Sequence, residues 1–202
     1  MNGVFGGTFD PPHLGHLILA EQARQELNLE RVLWVLTPRS PLKPKGTPAG
    51  VAERTRLVLA AIAGNPHFAL STVDVDRAAP TYTVETLERL RAAEAQAKIA
   101  LLIGSDSLAD LPRWHEPGRL IDLCAVIGVM DRPGHVPELA ALERAVPGLA
   151  AKVRRFAVPQ IEISARDIRH RVAHGQSIRY LVPEAVRDLI EREGLYRQAG
   201  PA

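Results

Sequence analysis

Cysteine occurs once in the 202 residues, at Cys124, so no disulfide can close within the chain and nothing in its thiol content points to secretion. Long apolar runs are missing as well, and no stretch reaches the length that crosses a bilayer. The first residues carry no charged segment followed by an apolar core, and the expectation is a cytoplasmic protein. An excess of one charge is absent too: a formal net charge of +2 is too small to argue for a nucleic-acid surface, though it suits phosphate-bearing small substrates. No linker rich in glycine or serine and no internal repeat divides the sequence. A single domain over residues 1–202 is therefore expected, with residues 160–202, approximately, forming a small helical subregion packed on it. The sequence leaves a homo-oligomer open.

Hydrophobic residues at 46% are enough to bury a sizeable core, and their spacing says how. From Gly15 the pattern Leu17, Ala20, Ala23, Leu27 repeats at helical spacing, and Val32 to Leu36 then runs as an uninterrupted apolar strand. A helix containing Val58, Ala61 and Ile62 ends at Gly64-Asn65-Pro66, and a strand is expected from Phe68 to Val75. Thr83 is placed to cap a helix that contains Leu87 and Leu90. Further strands are expected at Ile99–Ile103, at Cys124–Val129 and around Phe156–Val158. One helix spans Leu139 to Leu149, another runs from Ser164 to about His174, and Pro183 opens a last one through Ile190. Apolar strands without alternation, separated by amphipathic helices, describe an α/β protein with a Rossmann-like, doubly wound parallel sheet covered on both faces.

The stretch that carries chemistry lies at the start: Val4-Phe5-Gly6-Gly7-Thr8-Phe9-Asp10-Pro11-Pro12-His13-Leu14-Gly15-His16. A strand passes through a glycine turn into a helix, whose unpaired N–H groups and positive dipole end attract an anion. His13 and His16, three apart, share one face of the first turn if the helix begins near Pro12. Two histidines with no third ligand nearby leave a zinc shell incomplete. No glycine-lysine-serine/threonine ending follows, and Gly3, Gly6 and Gly7 do not form the dinucleotide fingerprint.

The string Gly6 to His16 instead resembles the nucleotidyltransferase superfamily that carries a histidine-x-glycine-histidine motif, and within it the bacterial nicotinate-nucleotide adenylyltransferases. The likeness runs nearly end to end through several motifs in the expected order. It implies attack by the phosphate of nicotinate mononucleotide on the α-phosphorus of ATP, giving nicotinate adenine dinucleotide and pyrophosphate, with Mg2+ carried by the ATP phosphates. An attacking phosphate needs no base, so positioning and charge neutralisation carry the catalysis. His13 and His16 are the implied catalytic pair. Gly6, Gly7 and Phe9 shape the phosphate turn, and Thr8 contacts the mononucleotide. Lys43, in the proline-rich loop Thr37–Pro48, either reaches a phosphate or is solvated.

Near the other end, Ile163-Ser164-Ala165-Arg166-Asp167-Ile168-Arg169 resembles the family's second phosphate motif and implies that Ser164 and Arg169 hold the triphosphate. Ala165 and Arg166 depart from that pattern; Arg166 either compensates with charge or faces solvent. For the mononucleotide the resemblance implies Thr83, Gly104, Asp106, Trp114 as a flat stacking face, and Arg132 before Pro133-Gly134. His115, after the tryptophan, replaces a usual aromatic. His170 and His174 read as solvated helix residues. Two rivals stay open: a sister enzyme acting on nicotinamide mononucleotide or pantetheine phosphate, and a nucleotide-binding module without turnover.

Overall fold

The computed structural model describes residues 1–38, 47–77, 80–131, 137–159 and 161–197. Six strands, β1 (Asn2–Gly7), β2 (Arg31–Leu36), β3 (Phe68–Ser71), β4 (Ile99–Gly104), β5 (Val126–Asp131) and β6 (Val153–Ala157), form one parallel sheet in the order β3-β2-β1-β4-β5-β6. Around it lie α1 (Leu14–Glu26), α2 (Val51–Ile62), α3 (Thr83–Ala93), α4 (Ser105–Asp110), a 3-10 turn (Leu111–Arg113), α5 (Pro117–Leu123), α6 (Leu139–Ala145), α7 (Leu149–Lys152), α8 (Ala165–Ala173) and α9 (Glu184–Glu193). This is the doubly wound α/β arrangement that the apolar strands imply. Among the described residues no helix is long and apolar enough to cross a membrane.

The pleat sorts alternate strand residues into two cores. Phe5, Trp34, Leu36, Ala100 and Leu102 face one side, where they meet Ala20 and Ala23 of α1, Leu57 of α2, Ile168 of α8 and Val186 and Ile190 of α9. Val4, Val35, Leu101, Ile103 and Ile127 face the other, against Val84 and Leu87 of α3, Leu120 of α5 and Leu149 of α7. The C-terminal helices thus complete the first of the two cores. Small residues set how closely α1 lies on the sheet: a Cβ on Gly128 would come within 2.6 Å of Leu27 Cδ1.

Several boundaries differ from the sequence reading, each for a local reason. β3 stops at Ser71, because Val73 to Asp76 form a turn that buries the Asp74 carboxylate, which accepts hydrogen bonds from the Thr86 hydroxyl at 2.6 Å and from Arg77 Nη1 at 2.8 Å. The expected helix from Leu139 to Leu149 is two: Gly148 takes φ +91°, and the Glu143 carboxylate accepts hydrogen bonds from Gly148 and Ala150 N–H across the break. The cap of α3 is Tyr82, and Thr83 is its first residue. β5 starts at Val126 and β6 at Val153. Cys124 lies before β5, and burial pushes its thiol up to about 12, far from a thiolate nucleophile.

Trp34 is the largest fully buried side chain, packed against Phe5, Phe9 and Phe68 with its indole N–H lacking an acceptor among the described residues. Trp34→Ala is expected to cost about 3–5 kcal/mol in urea denaturation. Trp34→Phe, which keeps a ring and removes the unpaired donor, should cost less than about 1.5 kcal/mol.

Candidate active site

Between β1 and β4 the strand order reverses direction, and there a cleft of about 1180 Å³ opens at the carboxyl ends of the strands. β1 delivers Gly6 and Gly7 to its floor. A Cβ on Gly6 would meet nothing within 4 Å, so the missing side chain leaves open space above the strand end. Gly7 has a different reason: its Cβ would lie 2.8 Å from the Phe9 ring. Phe9 itself takes φ +46° and drives its side chain into the core, turning the chain toward α1.

The two histidines are organised by the start of α1. His13 is the extended cap residue and His16 the third residue of the helix. The His13 N–H donates to His16 Nδ1 at 3.2 Å, and the rings stack with centroids 3.7 Å apart. A neutral His16 that accepts at Nδ1 carries its proton on Nε2, which makes that atom a donor. Gly15 leaves room for this stack, since a Cβ there would come within 3.1 Å of His13 Nδ1. Phe5 and Phe9 meet the His16 ring at steep angles and fix its plane.

Behind the turn sits Arg54, a residue of α2 that is only 1% exposed. Its guanidinium donates to four main-chain carbonyls: Nη1 to Thr8 and Thr37, both at 2.8 Å, Nη2 to Pro38 at 2.9 Å, and Nε to Ala49 at 3.2 Å. Burial lowers its affinity for the proton, and the charge of the nearby Asp10 opposes that. Asp10, 2% exposed, accepts from the Tyr196 hydroxyl at 2.8 Å, while Arg169 Nη1 donates to the Asp10 carbonyl at 2.6 Å. Burial and the Asp10 charge hold the Tyr196 phenol well above its usual range.

The opposite wall comes from β4, α3 and the segment after α4. Gly104 caps α4, and Asp106 stands exposed in its first turn, facing the cleft. Thr83 opens α3, whose cap contributes no side-chain hydrogen bond. Tyr82 stacks on His115 with ring centroids 4.2 Å apart, and Trp114 lies beside them, half-buried against the second core. At the far edge Ser164 caps α8, its hydroxyl accepting from the Asp167 N–H at 3.1 Å.

The cleft therefore gathers Gly6, Gly7, Thr8, Phe9, His13, His16, Thr83, Gly104, Asp106, Trp114 and Ser164. It does not include Arg166, which is exposed outside the lining, and Arg169 joins it only through its contact with Asp10. Lys43 and Arg132 lie outside the described residues. His170 and His174 stack on the exposed face of α8. Asp10 lies within the first motif without a role read there, and Arg54 and Tyr196 are additions that the motifs do not announce. The one trace of Arg54 is its position, four residues before Val58 on the apolar stripe of α2.

A family model described as cytidylyltransferase-like matches residues 4–171. The chain belongs to that family. It is 48% identical, over 96% of its length and 91% of the other's, to a protein of Thermomicrobium roseum named probable nicotinate-nucleotide adenylyltransferase. A protein of Roseiflexus castenholzii with the same name is 43% identical over 96% and 97% of the two chains. In fold it is similar to a Plasmodium falciparum nicotinic acid mononucleotide adenylyltransferase complexed with NaAD, with TM-score 0.74, 15% identity and 96% of each chain covered.

Because Gly6 faces open space in the cleft and its backbone conformation is open to any residue, Gly6→Val is expected to leave stability within about 0.5 kcal/mol of the parent. The same variant should weaken ATP binding roughly tenfold or more, as read by calorimetry.

Proposed function

We propose that this chain transfers the adenylyl group of ATP to nicotinate mononucleotide, releasing pyrophosphate and forming nicotinate adenine dinucleotide. The observation that carries this reading is the His13–His16 pair, stacked at the start of α1 beside the side-chain-free floor at Gly6, at the point where the strand order reverses. The relatives' names support it, at 48% and 43% identity over nearly whole chains.

In this reaction an oxygen of the mononucleotide phosphate forms a bond to the α-phosphorus of ATP, and the bond from that phosphorus to the bridging oxygen breaks. The electron pair leaves with pyrophosphate, and no protein atom becomes bonded to substrate. The pentacoordinate phosphorus at the midpoint gathers negative charge on its oxygens and on the leaving bridge. His16 Nε2–H and His13 donate to those oxygens, and the first amides of α1 add their dipole. Gly6, Gly7 and Phe9 let the backbone approach the triphosphate, and Thr8 meets the mononucleotide. Ser164 and the amides that open α8 take the outer phosphates, with Arg169 adding positive charge from behind Asp10. On the resemblance, Lys43 is assigned to a phosphate and Arg132 to the mononucleotide, and Arg166, outside the lining, is assigned to solvent.

Thr83, Gly104, Asp106 and Trp114 receive the mononucleotide: Asp106 accepts from ribose hydroxyls, and Trp114 offers a face to the ring. The uncapped amides at the start of α3 favour a carboxylate over an amide on that ring, which supports nicotinate over nicotinamide. Mg2+ would be carried by the ATP phosphates, whose oxygens would hold it. Its chemistry would be to neutralise phosphate charge. ATP and nicotinate mononucleotide are the partners, and the cytoplasm is the compartment this reading assigns.

The test is pyrophosphate release with ATP and Mg2+ in the presence of nicotinate mononucleotide, nicotinamide mononucleotide or phosphopantetheine. Strong preference for the first is expected. Preference for either other acceptor would overturn the ring assignment, and no release with any would leave a binding module. His16→Ala should lower kcat by roughly 100- to 1000-fold, because the lost donor acts on charge that develops only in the transition state.

A further inference from the structure

We propose that Arg54 is a positioning residue for the adenylyl transfer, acting on the reacting phosphates through the main chain of the Thr8–Asp10 turn. The inference rests on the function proposed above and deepens it. Four hydrogen bonds from one guanidinium tie together three segments far apart in sequence: the turn after β1 at Thr8, the residues after β2 at Thr37 and Pro38, and the entry to α2 at Ala49. Two of these segments carry cleft residues, Thr8 on one side and Thr37 on the other. The β1–β2 ladder, which ends with the Thr37 N–H donating to the Gly7 carbonyl at 2.9 Å, sets the two strand ends side by side, and the planar fork fixes the carbonyls just beyond it and joins them to the entry of α2.

The fork has no freedom to drift. Arg54 is 1% exposed and Asp10 is 2% exposed, so a charge that left its partners would stand bare in a low-dielectric interior. Asp10 is held in turn by the Tyr196 hydroxyl, and the Asp10 carbonyl by Arg169. Three residues downstream of Asp10 begins the His13–His16 stack, so the height of the turn above the sheet sets where the His16 ring sits. A displacement near 1 Å in such a donor is enough to cost about a hundredfold in rate.

Lysine at this position keeps the charge but offers one nitrogen in place of three, so it loses the planar fork that reaches the Thr8 and Thr37, Pro38 and Ala49 carbonyls from three separate positions. Arg54→Lys is therefore expected to lower kcat by roughly 10- to 100-fold while KM for ATP moves less than about threefold, with a melting temperature still above that of the assay. The decisive readout is a double-mutant cycle with His16→Ala, measured by single-turnover pyrophosphate release. If Arg54 works by placing His16, then Arg54→Lys should cost less than about threefold once His16 is gone. An equal loss in both backgrounds, or no loss in either, overturns the proposal. Should Arg54→Lys fail to fold, Tyr196→Phe enters the same cycle; it removes one hydrogen bond to Asp10, is expected to slow turnover about three- to tenfold, and should likewise lose its effect beside His16→Ala. A parent chain that releases no pyrophosphate with any acceptor removes the proposed function and this inference together; a parent that turns over while both cycles are additive removes this inference alone.

Discussion

A positive charge with almost no solvent must be surrounded by acceptors, and the interior of this protein is arranged around one. Arg54 is charged at any physiological pH, and its site offers carbonyl oxygens from three separate segments in addition to the field of Asp10. Carbonyls are half-partners only, since each carries a partial charge, so several are needed where one carboxylate in contact would serve. That requirement fastens the entry to α2 to the ends of β1 and β2, which the strand ladder already sets side by side. The result is a rigid rim at the strand ends where a parallel sheet binds its ligands. Loops are ordinarily the softest part of such a fold. Here the loop ends nearest the cleft are fastened from within.

The histidine motif is a packing device as much as a chemical one. Three positions of it have structural reasons that do not involve a ligand: His13 caps α1, His16 accepts the His13 N–H, and Gly15 keeps a methyl group away from the His13 ring. On the proposed reading the chemistry then follows from the geometry. Because Nδ1 of His16 is occupied as an acceptor, the opposite nitrogen carries the proton, and the ring's donor direction is fixed before any substrate arrives. Preorganised donors avoid reorganisation as charge develops, and this is the term that a transfer without a covalent intermediate depends on.

Much of this is legible in the sequence, and what is not has identifiable causes. The parallel sheet reads out because strands buried on both faces are continuous apolar runs, as in Ile99–Ile103. The pieces between Gly104 and Cys124 do not, because α4 and α5 are too short to show a period and the 3-10 turn is shorter still. Val73-Asp74-Val75-Asp76 imitates strand alternation while forming a turn, since Asp74 is inward and satisfied by Thr86 and Arg77. The cleft residues at Gly6–His16, Gly104–Asp106 and Trp114 follow from motifs. Arg54 does not, because its partners are main-chain carbonyls, which any residue supplies and no pattern records.

That same anonymity of the main chain explains how Ala165 and Arg166 fit a phosphate motif from which they depart. At the start of α8 the Ser164 hydroxyl is already engaged by the Asp167 N–H, so its first duty is to cap the helix. The two amides that precede Asp167 belong to Ala165 and Arg166, and they open the helix with no carbonyl behind them inside it. On the proposed reading it is these amides and the helix dipole that meet the outer phosphates, and both are independent of side chain. A hydroxyl at position 165 or 166 would add to that cradle without defining it. Arg166 then gains freedom to face solvent, while Arg169 is constrained: its contact with the Asp10 carbonyl joins α8 to the turn before α1, so the two helix starts proposed to flank the triphosphate are held by one side chain. On the proposed reading the second phosphate motif thus acts through the position of its backbone, and Arg169 is the residue in it whose contact with the Asp10 carbonyl holds that position.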